Sequence, residues 1–203
     1  VALHAVTALV RGALLSANLQ TGGAEPAAPT PPAPDVSTLD AASDTTPPSA
    51  AGSAIATITA YDPDGDGTEN DGDAVLARAD GAPGTSWGTV CYSDRYLGGK
   101  RGVGLVVSFD GPLRQAVSVD VLTAPYQVSF FASDADTIPS TIDGWGSELG
   151  STQFADEPGR VSAPVPSAPI RHLFVMLWEL GEDAGCTSAN PFRGRLGEIA
   201  IVG

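Results

Sequence analysis

Basic residues are scarce in this 203-residue chain: ten Lys and Arg stand against 24 Asp and Glu, a formal net charge of −14. Nucleic acids and anionic membrane surfaces are held through Lys and Arg, so neither is an expected partner. Histidine is rarer still, with only His4 and His172. His4 falls outside the expected folded domain, and His172 sits in an apolar run where a structural histidine is expected. A Ser-His-Asp arrangement would rest on His172 alone. GWGSELG at 144–150 does not match the G-x-S-x-G nucleophile turn, and GGKRGVG matches neither the phosphate loop nor G-x-G-x-x-G. No carboxylate pair is marked out for glycoside hydrolysis. Catalysis is therefore not expected. The two cysteines form no C-x-x-C, which argues against zinc and dithiol redox chemistry. Also missing is an apolar run of about 20 residues that could span a bilayer.

What the chain does have is glycine (24) and proline (17), which favour short strands, turns and a linker. Three zones follow. Residues 1–20 begin VALHAVTALVRGALLSA, apolar and helix-prone but interrupted by His4 and Arg11. The segment lacks the basic leader of a secretory signal. It reads either as a frayed or clipped helical end or as the outer end of a membrane anchor. Residues 21–53 are rich in Pro, Ala, Ser and Thr and nearly empty of large apolar groups. They cannot bury enough surface to offset ordering entropy, so an extended, disordered linker is expected.

Residues 54–203 carry the folding signal. IATITAY (55–61) and AVSVDVLT (116–123) alternate apolar and polar residues. GVGLVVSFD (102–110), QVSFFAS (127–133), IRHLFVMLWEL (170–180) and RLGEIAIVG (195–203) are further strands, and proline-bearing VSAPVP (161–166) reads as an edge. Short runs separated by Gly, Pro, Asp and Ser, with no long helical period, predict an all-β sandwich of jelly-roll type.

Residues 61–74, YDPDGDGTENDGDA, pack six acids and three glycines together. Something positive is needed to hold them. Asp62, Asp64, Asp66 and Gly67 stand in a D-x-D-x-D-G pattern, as in a calcium loop. There the first, third and fifth residues supply carboxylates, the sixth is glycine, the seventh gives a carbonyl and the twelfth a carboxylate. Counting from Asp62 puts Thr68 seventh, Asn70 ninth and Asp73 twelfth. The expectation is a calcium or similar hard cation, although the twelfth residue is Asp rather than Glu and no helices flank the loop. The alternative is a solvated acidic turn.

The order of motifs points to a family. Ala77-Arg-Ala-Asp-Gly81 is followed by Thr85-Ser-Trp87, then Tyr92, GGKRGVGL (98–105), and the closing pair HLFVMLWEL and GRLGEIAIVG. This string resembles the discoidin-like, galactose-binding-like jelly rolls. More narrowly, it resembles the extracytoplasmic C-terminal domains of actinobacterial membrane proteins. Those domains lie behind serine/threonine kinase or pseudokinase segments, including on relatives of the MurJ/MviN peptidoglycan-precursor flippase. The resemblance covers residues 54–203. One departure is GGKRGVGL where the pattern runs GG-L-K-x-G-V-G-L. The resemblance implies a structural calcium beside the Asp-Gly turn, with Asp80, Thr85 and Glu198 as ligands. Such an ion would join the first loop to the last strand and add its binding energy to folding. Without it, Asp80-Gly81 is a simple turn and Glu198 a surface acid.

Cys91 and Cys186 each border a strand. Outside the cytoplasm two such cysteines are expected to pair, the alternative being two buried thiols. Trp87 and Trp178 read as core residues. Tyr92, Arg95 and Tyr96, near Lys100 and Arg101, form a basic-aromatic cluster suited to stacking a sugar and bonding its hydroxyls, and Trp145 is a further loop aromatic. The resulting expectation is a non-catalytic, calcium-stabilised domain in the cell envelope, outside the cytoplasm and tethered through upstream residues. Its expected ligand is a cell-wall glycan or peptidoglycan-related material. Two rivals are a docking domain for an envelope membrane protein and a carbohydrate-targeting module of a hydrolase.

Overall fold

The computed structural model describes residues 54–67, 69–82 and 84–203. The expectations for residues 1–20 and 21–53, and for Thr68, lie outside the described residues. Eleven strands follow one another: β1 Ile55–Tyr61, β2 Trp87–Gly88, β3 Val103–Leu113, β4 Ala116–Val121, β5 Tyr126–Ser133, β6 Gln153–Ala155, β7 Gly159–Ala163, β8 Ile170–Glu179, β9 Glu182–Thr187, β10 Asn190–Phe192 and β11 Arg195–Val202. They form a five-stranded sheet in the order β1-β3-β8-β5-β6 and a four-stranded sheet in the order β2-β11-β4-β7, with β9 and β10 as a small ribbon. All paired strands run antiparallel. From β1 to β8 the chain passes from one large sheet to the other between every two consecutive strands except β5 and β6. The architecture is the all-β sandwich that the strand pattern predicts.

The alternating strands bury one face. In β4, Val117, Val119 and Val121 enter the core between the sheets and meet Leu105, Val107, Phe130, Val175 and Leu177 from the other sheet. The continuous apolar runs of β3 and β8 need a different explanation, since unbroken hydrophobic strands require cover on both faces. Val106, Phe174 and Met176 point away from the main core into a second cluster with Ile142 and Trp145, and Tyr61, Phe131 and Ile138 pack against it. The segment around the 3-10 turn Ile142–Trp145 is that cover.

Four strands escape the pattern reading. β2, β6 and β10 have two or three residues each, and β9, EDAGCT, is acidic and glycine-bearing. Nothing in such short or polar stretches signals a strand by itself; the neighbouring ladder makes them extended. Of the expected strand 161–166, residues up to Ala163 belong to β7, which is at the edge of its sheet as expected, and Pro164 and Pro166 lie beyond its end. Trp178, expected in the core, is exposed on β8.

Candidate functional site

β1 ends where β3 begins, because the two strands pair with Tyr61 opposite Gly104. The acidic stretch that leaves β1 therefore meets residues 97–101, which lead into β3. The positive groups that hold the acids are side chains. Lys100 Nζ lies 2.8 Å from Asp62 Oδ2, 3.3 Å from Glu69 Oε1 and 2.9 Å from the Tyr92 hydroxyl. It also sits 5.1 Å from the Tyr92 ring centroid. Glu69 is fully buried. Its Oε1 accepts from the Tyr92 hydroxyl, its Oε2 accepts from the Val90 N–H at 2.8 Å, and its main-chain oxygen accepts from the Trp87 indole at 2.7 Å. Next to this group, Arg101 grips Asp64 through Nε and Nη2, each at 2.8 Å, and through its own N–H at 3.1 Å. Its Nη1 reaches both Asp143 oxygens at 3.0 Å.

These contacts set the ionisation of the group. The Arg101 bonds hold the Asp64 carboxyl down at about 2. Burial, followed by the bond to Glu69, pushes the Tyr92 phenol well above its ordinary value. Burial opposes the charge on Lys100, but the bonds to Asp62 and Tyr92 outweigh it and hold the ammonium above its usual pKa.

Of the residues expected to form a calcium loop, Asp62 and Asp64 are paired with two different side-chain cations. Asp73 lies in the 3-10 turn Asp71–Ala77, with its N–H bonded to the Asn70 carbonyl. Asp66 is exposed on the loop. Among the described residues no group of three or more His, Cys, Asp or Glu is placed to hold a metal. Glu69, which the spacing argument passes over, is the buried acid of the loop; in a stretch of six acids nothing in the sequence singles it out.

The second acidic set is brought together in part. Asp80 Oδ1 accepts from the Ala82 N–H at 2.8 Å and lies 3.5 Å from Thr85 Oγ1. The Thr85 carbonyl approaches β11 so closely that a Cβ on Gly197 would lie 3.2 Å from it. Glu198, next along, sits at an irregularity between β11 and β4 with left-handed backbone (φ 45). Its Oε1 is buried without a hydrogen-bond partner.

Cys91 and Cys186 form a disulfide. Beside it, Tyr92 and Phe192 exchange backbone hydrogen bonds at 2.7 and 3.1 Å. The expected ligand-binding residues divide. Tyr92 is committed to the Lys100 and Glu69 group. Trp145 is 2% exposed, packed 5.4 Å from Phe174 and 5.8 Å from Tyr61 between ring centroids. It covers the outer apolar face of β3 and β8 and presents no ring to a ligand. Arg95 and Tyr96 do face solvent, Tyr96 at 55%. Arg95 Nη1 lies 3.4 Å from Glu179 Oε1, its guanidinium carbon stands 5.3 Å from the Phe192 ring centroid, and its carbonyl accepts from the Leu180 N–H at 2.9 Å. Gln127 Nε2 donates to Glu179 Oε2 at 3.1 Å. Arg95, Gln127, Glu179, Asp156 and Phe154 line a cleft of about 140 Å³. Phe154 is 79% exposed, the most open large apolar side chain among the described residues. Its signal in the sequence was a single aromatic in a polar stretch, STQFADE.

His172 Nδ1 lies 2.8 Å from Ser108 Oγ on the neighbouring strand. Burial pushes its pKa down. Among the described residues no carboxylate is hydrogen-bonded to the ring, and its Nε2 is buried without a partner.

No protein-family model matches the sequence, and no curated protein matches it. Among solved structures, the chain is similar to the K3 cleaved adhesin domain of Lys-gingipain from Porphyromonas gingivalis. The identity is 13%, the alignment covers 74% of this chain and 93% of that one, and the TM-score is 0.44.

Proposed function

We propose that residues 54–203 form a non-catalytic binding domain that works outside the cytoplasm, with a cell-wall glycan or peptidoglycan-related ligand. The observation that carries the reading is the cleft beside Arg95. Phe154 offers an open aromatic face, and the Arg95–Glu179–Gln127 chain fixes polar groups at its foot. A sugar ring needs this pair of features, an apolar face to stack on and a few oriented hydrogen-bonding groups. The cleft is smaller than the roughly 300–1,000 Å³ of enclosed small-molecule sites, which suits the edge of a polymer better than a buried metabolite. The Cys91–Cys186 disulfide supports an oxidising compartment. Tethering to a membrane through upstream residues belongs to the same proposal; among the described residues no helix is long and apolar enough to cross a bilayer.

A structural calcium at Asp80, Thr85 and Glu198 is part of the reading. The donor types suit a hard cation: the Asp80 carboxylate, a threonine oxygen and the Glu198 carboxylate, one oxygen of which is buried without a hydrogen-bond partner. Bound there, the ion would tie the loop before β2 to β11.

The test is co-sedimentation of the full chain with purified peptidoglycan, followed by NMR titration with soluble muropeptides. Retention in the pellet, with shifts clustered at Arg95, Gln127 and Phe154, is the expected result. Phe154→Ala should weaken binding about tenfold, the equivalent of about 1.4 kcal/mol, and should leave the melting temperature nearly unchanged. Absence of binding to any glycan, together with capture by an envelope membrane protein, would favour the docking reading instead.

A further inference from the structure

Lys100 is the only lysine in this sequence, and it is placed against two carboxyl groups whose side chains have no solvent exposure, Asp62 and Glu69. As an ion pair the arrangement is costly. Each buried charge must give up its hydration, and Asp62 keeps a buried Oδ1 without a hydrogen-bond partner while Oδ2 alone meets Nζ. Gly65 closes over both groups at once. A Cβ there would lie 2.7 Å from Asp62 Cγ and 2.7 Å from Lys100 Nζ. An amine held 2.8 Å from a carboxyl oxygen, with a second buried carboxyl within reach of the same nitrogen, is the constellation that amide formation requires.

We propose that Lys100 and Asp62 condense to an intramolecular isopeptide bond, with Glu69 as the proton-transfer group. The ammonium of Lys100 passes a proton to the carboxyl cluster, which leaves a neutral amine and a protonated Asp62. Nζ attacks Asp62 Cγ, and the new N–C bond forms a tetrahedral intermediate. Glu69 takes a proton from the nitrogen and delivers one to the departing Oδ2. The C–O bond breaks and one water leaves, past the side of Lys100 that is 23% exposed. One ammonium and one carboxylate become one amide and one water. No oxidant, reductant or co-reactant enters. The Tyr92 hydroxyl holds the Glu69 carboxyl and faces Nζ, and so positions the proton carrier. The product exchanges two buried charges for a neutral amide, whose carbonyl is cheaper to leave without a partner than a carboxylate oxygen. The bond joins the segment leaving β1 to the segment entering β3. β1 is the edge strand of its sheet and the first strand of the domain, so the bond locks the strand that follows residues 21–53.

Intact-mass measurement of the full chain tests this. The folded wild type should be lighter than its sequence by one water, beyond the two hydrogens lost at the disulfide. Because there is a single lysine, an amine-reactive reagent applied to the unfolded, reduced chain should label the N-terminal amine and nothing else. Tryptic digestion should give one branched peptide containing Asp62 and Lys100. Lys100→Arg should restore the missing water, and Glu69→Gln should restore it together with a second labelled amine, with an unchanged β-rich circular dichroism spectrum showing that the variant is folded. A wild type with the disulfide formed, full mass otherwise and a labelled Lys100 overturns the proposal. Loss of water that persists in Lys100→Arg overturns it too. A Glu69→Gln variant that still cross-links removes the role given to Glu69.

Discussion

The indole N–H of Trp87 donates to the main-chain oxygen of Glu69 at 2.7 Å. One contact thereby joins a fully buried core residue to the acidic loop. Trp87 is therefore more than filler, because its orientation sets where Glu69 lies and hence where Lys100 finds its partners. Trp87→Ala should cost about 3–5 kcal/mol of stability, the usual range for removing a fully buried tryptophan. Urea denaturation followed by tyrosine fluorescence or circular dichroism would measure it. A loss below about 1 kcal/mol would mean that the loop is anchored elsewhere.

Replacing Lys100 by Met keeps the stem but leaves Asp62 and Glu69 buried with neither a cation nor an amide to pair with. Breaking such a group by removing one partner costs about 3–5 kcal/mol. The expected result is a large drop in denaturation midpoint at pH 7. An unchanged midpoint would mean that the two buried carboxyls do not depend on Lys100.

Asp64 should report on acid. Its folded pKa of about 2 lies below its ordinary value, so the carboxylate stabilises the fold above the unfolded value. That contribution is lost as pH falls from about 4 towards 2. Melting temperature against pH should therefore fall more steeply in the wild type than in Asp64→Asn within this window, and the two curves should converge below it. The Arg101–Asp64 pair is partly exposed, so raising the salt concentration should shrink the difference.

The Cys91–Cys186 disulfide closes a loop with a sequence separation of 95 residues. In the chain-entropy account, closing a loop of that length contributes on the order of 4–5 kcal/mol. Reduction, or paired Cys→Ser substitution, should lower the melting temperature by about 8–20 °C, at the roughly 2–4 °C per kcal/mol seen for domains of this size. Calorimetry with and without reductant would show it.

Calcium at the Asp80–Thr85–Glu198 set should raise the melting temperature, and a chelator should reverse the rise. At 100 times the dissociation constant the added stability is about 2.7 kcal/mol. Glu198→Ala should abolish the response and Asp66→Ala should leave it intact. The opposite pattern would return the ion to residues 61–74. No response in any variant would leave Asp80-Gly81 as a turn.

The sequence by itself determined the strands that read by pattern: β1 and β4 through their alternation, β3, β8 and β11 through their length and apolar content, and β7 as an edge through the prolines that follow it. It also marked the acidic stretch as needing positive charge, and the two cysteines as candidates to pair. These features are local or compositional, so they survive without coordinates. What only the tertiary structure decided depends on distant segments meeting. Trp145 looked like a ligand aromatic because its neighbours in the chain are Gly and Ser, yet β3 and β8 expose Val106, Phe174 and Met176 on their outer face and the ring covers them. The D-x-D-x-D-G spacing suggested calcium because spacing is all a sequence offers. Residues 38 positions away supplied the charge: β1 and β3 pair antiparallel, which carries Lys100 and Arg101 to Asp62 and Asp64. Glu69 became the buried acid for the same reason. Six acids are alike in composition, and only the ladder and the Trp87 contact select which of them leaves water.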